Sequence, residues 1–311
     1  MEFPAHVRDK IEQLIQNEDI KQLSRAAERL SENYRREEHI SASSRREILA
    51  YSAVRMPATF AAVSRAIKLT LENFGGDINS VLDAGAGTGA AALAAGLITD
   101  CSEITCLERD RNMLEIGKQL AEKAHWREHD ITNGITEKAD LVICSYCLNE
   151  LPESRRRSVT VDLAHAADKL LLIVEPGTPG SFAEIKKTRD ILTDLGMKII
   201  APCPANGVCP LPQDDWCHFA ARAARSKLHK RLKNADAPYE DEKFCFLAAA
   251  WENETSAEKY CRVLRRPIIE SGKITLRLCS ESGITEKIVT RGSPLFKQAR
   301  KSETGDKFPE Y

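Results

Sequence analysis

The sequence contains no long apolar run: no stretch reaches the roughly 20 consecutive apolar residues that a membrane-spanning helix requires. The first residues, MEFPAHVRDKIEQL, lack the basic start and apolar core of a secretory signal, and their acidic side chains are atypical of a transit peptide. We therefore expect a cytoplasmic protein that makes no contact with membranes.

A large excess of charge of either sign is also missing. The 311 residues carry 45 Lys and Arg against 46 Asp and Glu, and only 6% are aromatic. With 42% hydrophobic residues, the chain is too apolar to be disordered. Residues 201–311, however, hold 19 Lys and Arg against 15 Asp and Glu, so a phosphate-rich partner is best sought there.

Cysteine, in contrast, is plentiful, with ten residues. Disulfides are rare in the cytosol, so we expect these thiols to pack in the core or to bind metal. Some of them lie in or beside apolar strands and are interpreted as core thiols, namely Cys101, Cys106, Cys144 and Cys147.

From residue 78 onward the hydrophobic pattern alternates between strand and helix. Apolar runs typical of strands cover 80–85, 104–109, 139–147 and 169–177, with helix-like stretches between them. This alternation predicts an α/β protein with a mostly parallel, doubly wound sheet, and places any ligand beyond the carboxyl ends of the strands. Earlier residues have helical periodicity, whereas 261–295 resembles a small β unit.

A glycine-rich loop, VLDAGAGTG at 81–89, leads from the first of these strands into an alanine-rich helix. Gly85, Gly87 and Gly89 allow a tight turn and a close approach of the backbone to a ligand. The N-terminus of the helix offers free N–H groups at the same point. Strand, loop and helix together predict a site for a nucleotide-like cofactor.

Polar residues around this loop favour S-adenosylmethionine as that cofactor. Asp83 precedes the glycines and suits the positive charges of the methionine end, and Asn149 follows the fourth strand beside that end. Glu108 ends the next strand, where an acid can accept both ribose hydroxyls. Asp130 follows the third strand, where it can meet the adenine amino group. NAD is the alternative, because the glycine spacing also matches a dinucleotide fingerprint loosely.

Three cysteines, Cys203, Cys209 and Cys217, lie in a proline-rich stretch with the spacing C-x5-C-x7-C. Zinc sites usually have tighter cysteine pairs, whereas the spacing in iron–sulfur sites varies more. The spacing leaves zinc, an iron–sulfur cluster and unligated thiols all open. Candidates for a fourth ligand are Cys245, Cys261 and Cys279.

A basic segment follows these cysteines, with no acidic residue among its members. It contains Arg222, Arg225, Lys227, Lys230, Arg231 and Lys233. Helical spacing would place several of them on one face, where they could bind RNA phosphates. A solvated, charged helix explains the run equally well.

Several longer segments closely resemble one family. They are YSAVRMPAT at 51–59, the glycine loop, EPGTPGSF at 175–182, APCPANGVCPL at 201–211 with the blocks DDWCHF, RAARSKLHKRLK and YEDEKF that follow it, and LRLCS at 276–280. This set resembles the methyltransferase-like assembly factors of the mitochondrial small ribosomal subunit (the methyltransferase-like protein 17 type) and their bacterial relatives. The resemblance extends from about residue 45 to about residue 301.

The resemblance implies a class I, Rossmann-like fold of S-adenosylmethionine-dependent methyltransferases and association with the small ribosomal subunit and its rRNA. It also implies a [4Fe–4S] cluster, whereas zinc stays the alternative metal because the cysteine spacing alone does not exclude it. Carried over by position, the cluster ligands are Cys203, Cys209, Cys217 and Cys279. No catalytic residue is assigned, because CLNE at 147–150 replaces a tetrad such as NPPY after the fourth strand.

These observations predict three regions along the chain. They are an N-terminal helical extension over 1–75, a cofactor-binding Rossmann-like domain over 76–200, and a cysteine-rich, basic and β-rich region over 201–311. Our leading hypothesis is an S-adenosylmethionine-binding methyltransferase that acts on the small ribosomal subunit, with no DNA partner. The alternatives are a non-catalytic assembly factor that keeps the fold, and a methyltransferase of small molecules.

Overall fold

The structure, a computed structural model, describes residues 2–35, 44–204, 206–251 and 259–310. The chain begins with helices α1 (Ala5–Ile15), α2 (Ile20–Arg35), α3 (Arg45–Val54) and α4 (Met56–Leu71). Ser44 caps α3 in a reciprocal capping box with Glu47, and Pro57 lies in the first turn of α4, where its missing N–H leaves no helical bond unmade. No helix in the described residues is long and apolar enough to cross a membrane.

The first half of the main sheet consists of parallel strands that alternate with helices. The strands are β1 (Ser80–Ala84), β2 (Glu103–Glu108), β3 (His125–Glu128), β4 (Ala139–Ser145) and β5 (Ala167–Pro176). The helices are α5 (Ala90–Ile98), α6 (Arg111–Leu120), α7 (Glu153–Ala166) and α8 (Pro179–Asp194). β4 and β5 are almost entirely buried, as strands covered on both faces should be. The predicted doubly wound α/β sheet is confirmed.

The second half of the sheet is antiparallel. It contains β6 (Lys198–Ala201), β7 (Phe219–Ala224) and the 12-residue β8 (Tyr239–Ala250). β8 pairs with β5 along one side, and with β7 and β6 along the other, so the strand order is β3-β2-β1-β4-β5-β8-β6. The boundary predicted at residue 200 therefore falls inside this sheet. The alternation of strands and helices in the sequence could not show this, because β8 joins the sheet only after β7 and the loop over 202–218, here called the cysteine-rich loop.

A second, smaller sheet follows and agrees with the β unit expected over 261–295. Its antiparallel strands are β9 (Tyr260–Val263), β10 (Ile268–Glu270), β11 (Lys273–Ser280), β12 (Gly283–Thr290) and β13 (Lys307–Pro309). α10 (Phe296–Lys301) packs on it. The buried side chains of Val263, Ile274, Leu276 and Phe308 form its core.

The basic segment is not one helix, which corrects the expectation from its spacing. Arg222 lies on β7 and Arg225 in the turn after it, whereas α9 begins only at Lys227 (Lys227–Lys233). The hydroxyl of Ser226 caps α9 by accepting the N–H of His229 at 3.0 Å. Pairing with β8 holds FAARAA as a strand, and this tertiary contact outweighs the helical spacing of the charges.

Candidate functional site

A cavity of about 560 Å³ opens at the carboxyl ends of the parallel strands. The glycine loop after β1, the end of β2, the turn after β4 and the end of β5 form its walls, and α3 and the start of α8 close its sides. Doubly wound sheets bind ligands in this position, because the strand order reverses there and leaves a crevice. The cavity is therefore our candidate for the predicted cofactor site.

The glycines of the loop have different roles. All three have positive φ values, +76° at Gly85, +55° at Gly87 and +89° at Gly89. A Cβ atom on Gly85 would lie 2.5 Å from the sulfur of Cys147, whereas one on Gly87 would meet nothing within 4 Å. The loop thus packs tightly at Gly85 and exposes bare backbone to the cavity at Gly87. Gly89 is the N-cap residue immediately before α5, and a Cβ atom on it would lie 3.1 Å from the indole of Trp126.

Asp83 lies beneath the loop, fully buried at the end of β1, and not on the wall of the cavity. Its Oδ2 accepts the N–H of Ala92 at 3.0 Å, whereas Oδ1 has no hydrogen-bond partner among the described residues. Burial, aided by the charge of Glu108, raises the pKa of Asp83 to about 7. A buried carboxyl with an unpaired oxygen is costly unless a cation or a donor approaches it.

Glu108 and Asp130 both line the cavity. The two carboxylate oxygens of Glu108 accept the N–H groups of Gly87 at 2.7 Å and Asp110 at 2.8 Å, so this side chain fixes the glycine loop to the end of β2. Burial raises the pKa of Glu108 above its usual value. Burial has the same tendency at Asp130, but hydrogen bonds from Thr132 outweigh it and lower the pKa of that carboxyl.

Sequence reasoning placed Asn149 at the cavity but missed Glu175, which lies behind it at the end of β5. The carboxylate of Glu175 accepts the side-chain amide of Asn149 at 3.0 Å and the N–H of Leu148 at 2.9 Å. The same amide nitrogen of Asn149 donates to Ser181 at 2.7 Å. Burial, followed by the nearby charge of Glu150, raises the pKa of Glu175 to about 8. The position of Glu175 at a strand end, like that of Glu108, was an available signal.

A buried ion pair borders another side of the cavity and was also missed. The guanidinium of Arg55, between α3 and α4, donates to both carboxylate oxygens of Glu242 on β8, at 2.9 and 3.1 Å. The hydroxyl of Tyr146 donates to the same carboxylate at 3.1 Å, and its backbone has a φ of +54°. Strained backbone of this kind often marks a functional site. No local pattern indicates these contacts, because they join elements far apart in sequence.

The predicted cysteine ligands lie together around a second cavity of about 250 Å³, between α8, β8 and the second sheet. The cysteines that line it are Cys203, Cys209, Cys217, Cys245 and Cys279. Cys261, the remaining candidate, instead packs in the core of the second sheet. Within the ranges described, no three His, Cys, Asp or Glu side chains are arranged to hold a single metal ion. Burial raises the pKa of Cys217 and Cys279, and the neighbouring thiols raise it further.

Half of the basic segment is engaged with acidic residues of β8. Arg222 pairs with Asp241 at 2.8 Å, and Glu240 accepts Arg225 at 3.2 Å and Lys233 at 3.4 Å. The other basic residues lie on α9, where Lys227 and Arg231 are exposed and Lys230 is half-buried. The surface that could meet phosphate is therefore smaller than the sequence run indicates.

The strand order of the main sheet, with one antiparallel strand inserted next to the last, and the glycine loop at its crevice define a protein with the class I methyltransferase fold. The family is narrower than this class. Residues 45–309 match the family model described as mitochondrial small ribosomal subunit Rsm22, and the chain belongs to that family.

Solved structures similar to this chain include two methyltransferases. Magnesium protoporphyrin IX methyltransferase from Synechocystis, with bound SAH, is 18% identical, covers 64% of this chain and 85% of its own, and has a TM-score of 0.41. A TehB-like SAM-dependent methyltransferase from Corynebacterium glutamicum is 15% identical, covers 76% of this chain and 100% of its own, and has a TM-score of 0.40. No curated protein matches the sequence.

Proposed function

We propose that this protein binds S-adenosylmethionine and acts as a methyltransferase on the small ribosomal subunit. The observation that carries the cofactor assignment is the set of carboxyl groups at one crevice: Asp83, Glu108, Glu150 and Glu175. Burial is the main cause of these raised pKa values, and neighbouring charges add to it. Such a site favours a cationic ligand, because a nearby positive charge offsets the cost of ionising buried carboxyls. S-adenosylmethionine has an ammonium and a sulfonium group, whereas the pyrophosphate of NAD would add negative charge.

The arginines that line the cavity do not change this balance. Arg55 is paired with Glu242, Arg109 lies 3.6 Å from Asp130, and Arg156 lies 3.0 Å from Glu184. These positive charges are each matched by a carboxylate of their own. Glu108, Glu150 and Glu175 on the cavity wall, with Asp83 beneath the glycine loop, therefore set the charge around a ligand.

We assign each predicted cofactor residue a role according to its position around the cavity. The bare backbone at Gly87 allows the methionine end to approach, and Asp83 adds negative charge beneath it. Glu108 is the proposed acceptor for the ribose hydroxyls, and Asp130 for the adenine amino group. Asn149, held by Glu175, would position the methionine end. When bound, S-adenosylmethionine supplies an electrophilic methyl group, and the protein contributes orientation of the acceptor.

For the cysteine cavity we propose a [4Fe–4S] cluster held by Cys203, Cys209, Cys217 and Cys279, with zinc as the alternative. Four cysteines without any oxygen or nitrogen ligand form a soft donor set, which is typical of both zinc sites and iron–sulfur clusters. A single zinc ion needs its thiolates gathered around one point, whereas a cluster distributes them over several iron atoms. The cysteines share one cavity, but no three of the described side chains are arranged for a single ion, so the choice of the cluster rests on the family resemblance. The centre would join the cysteine-rich loop to β11.

The small ribosomal subunit is the proposed partner, on the basis of the family. Lys227, Lys230 and Arg231 on α9 are the residues of the basic segment best placed to contact rRNA phosphates. Arg222, Arg225 and Lys233 remain in the proposed surface, but their ion pairs with β8 must compete with phosphate.

Calorimetry tests the cofactor proposal directly. We expect S-adenosylmethionine to bind and NAD not to bind. Glu108→Gln should weaken S-adenosylmethionine binding by about 10-fold, because one oxygen acceptor is replaced by a donor. Glu153→Gln, at an exposed site on α7, is the matched control. Unchanged affinity in Glu108→Gln, or tighter binding of NAD, would contradict the assignment.

Methylation mapping of small-subunit rRNA from a deletion strain tests turnover. A methyl group that is lost on deletion, restored by the wild-type gene and restored less completely by the Glu108→Gln gene supports the enzyme. The alternative of a non-catalytic assembly factor predicts an unchanged map, with a defect in small-subunit assembly that both genes repair. A small-molecule methyltransferase predicts that the protein is absent from ribosomal fractions.

A further inference from the structure

Arg262 on β9 is a fully buried guanidinium at the edge of the cysteine cavity, with 1% of its surface exposed. Its N–H groups donate to the carbonyls of Pro202 at 2.9 Å and Gly305 at 2.7 Å, and to the hydroxyl of Tyr260 at 3.1 Å. The carboxylate that pairs with it among the described residues, that of Glu72, is 3.9 Å away and nearly half exposed. Neutral acceptors satisfy the hydrogen bonds of a buried cation, but they do not neutralise its charge.

Arg189 on α8 is a second buried guanidinium at this cavity, with 5% of its surface exposed. It donates to the carbonyl of Gly207 within the cysteine-rich loop. It also makes a hydrogen bond with the thiol of Cys203. Arg189 and Arg262 thus approach the cavity from different elements, one helix and one strand of the second sheet.

The other charged groups around the cavity do not cancel these two. Asp215, in the cysteine-rich loop, is matched by Arg265 and by Arg277 at 2.9 Å. Glu281, at the turn after β11, pairs with Lys259 at 3.2 Å in an exposed position. Lys186 on α8 adds a further positive charge to the lining. The charged side chains around the cavity therefore carry a net positive charge, whereas the cysteine thiols that line it are uncharged.

We propose that Arg189 and Arg262 are positioning residues of the cysteine centre, whose fixed positive charges stabilise the thiolates and the net negative charge of the bound metal group. Four thiolates around a metal core with a charge of +2 leave a net charge of about −2, which two guanidinium groups balance. Arginine suits this role because it stays protonated even when buried. The inference rests on the metal centre of the proposed function.

Arg189 offers the cleaner test, because Arg262 also holds β9 to the loop and its removal can prevent folding. We would purify the full-length protein anaerobically as wild type, Arg189→Gln, Arg189→Lys and the exposed control Arg157→Gln. Release of metal to a chelator should be about 10-fold faster in Arg189→Gln, as is typical when an outer partner of a metal ligand is lost. Arg189→Lys should fall between Arg189→Gln and wild type, because it keeps the charge and loses the planar fork.

If the metal is an iron–sulfur cluster, its reduction potential provides a second measurement. Reduction by dithionite adds one electron to an already negative group, so loss of a nearby positive charge should lower the potential of Arg189→Gln. Equal release rates and equal potentials in Arg189→Gln and Arg157→Gln would overturn the inference and leave the metal centre standing. A wild-type protein that holds no metal, even after reconstitution with iron and sulfide or with zinc, would overturn both.

Discussion

At the scale of single residues, two carboxyl groups should make the proposed cofactor pocket sensitive to pH. The pKa is raised from 3.8 to about 7 at Asp83 and from 4.5 to about 8 at Glu175. The folded protein therefore holds these protons more tightly than the unfolded chain does. Their contribution to stability is fully present below about pH 4 and is lost as the pH rises through 7 and 8.

Ionising these two buried carboxyls costs free energy in the unliganded protein. We expect a bound cation to lower that cost, because its charge favours the ionised carboxylates. The affinity for S-adenosylmethionine should rise between pH 6 and pH 8, by up to about 10-fold per pH unit for each proton released. Calorimetry in two buffers with different ionisation enthalpies measures the proton release directly. Glu175→Gln, which removes one titrating group, should show a shallower pH dependence. A constant affinity across this range, with no proton release, would contradict the prediction.

The sequence allowed us to predict residues on the wall of the first cavity only where they follow the ends of parallel strands. Glu108, Asp130 and Asn149 lie there because each follows a parallel strand, and carboxyl ends of parallel strands meet at one edge. Tyr51 and Arg55 reach the same cavity from α3 and the residue after it, through packing that no local pattern records. The binding roles of all these residues stay predictions.

At the scale of elements, the ion pair of Arg55 and Glu242 fastens the junction of α3 and α4 to β8. Arg55→Met should lower the free energy of unfolding by about 3–5 kcal/mol, because it leaves the Glu242 carboxylate buried without its cation. Arg222→Met is the matched control on the neighbouring strand. Its partner Asp241 is exposed, so the loss there should be at most about 1 kcal/mol.

Urea denaturation of both variants measures the difference. A similar small loss in each would mean that the buried pair contributes no more than an exposed one. Glu242→Gln is the companion variant, since it also weakens the acceptor for the Tyr146 hydroxyl. Its stability loss should exceed that of an Asp241→Asn variant.

The parallel strands were predictable as elements, but the antiparallel half of the sheet was not. β1, β2, β4 and β5 appear in the sequence as apolar runs at regular intervals, and their covered faces make that signal strong. β7, in contrast, has the sequence FAARAA, mostly alanine with one arginine, and lies beside a basic helix, so its strand conformation depends on pairing with β8. In this segment, pairing with β8 outweighs the helical propensity of the alanines.

At the scale of the whole molecule, the cysteine-rich loop joins the main sheet to the second sheet. The indole of Trp216 donates to the carbonyl of Gly177 at 3.0 Å, between two residues that line the first cavity, Pro176 and Thr178. Arg265, after β9, donates to the carbonyl of Trp216 at 3.0 Å, and Arg277 of β11 pairs with Asp215 at 2.9 Å. One loop thus contacts the end of β5, β11 and the connection between β9 and β10.

Removal of the proposed metal should loosen this connection. We expect proteases to cut within 202–218 at least about 10-fold faster after chelation, because a crosslink between distant segments restrains the loop. Cys279→Ser should reproduce the effect without a chelator. Cys261→Ser, in the core of the second sheet, should not. Mass spectrometry of the fragments locates the cuts, and equal cleavage with and without chelator would count against a metal-held loop.

The insertion of β8 between β5 and β6 also sets an order of events during synthesis. A ribosome makes β5 and β6 well before β8, so the outer edge of β5 emerges with no strand to pair with. Open strand edges invite pairing with other chains until they are covered. Glu242, the partner of Arg55 and Tyr146 at the pocket, arrives only with β8. The pocket is therefore completed late in synthesis, by a segment far along the chain. A nascent chain that stalls before β8 is made would expose the edge of β5 and be prone to aggregate.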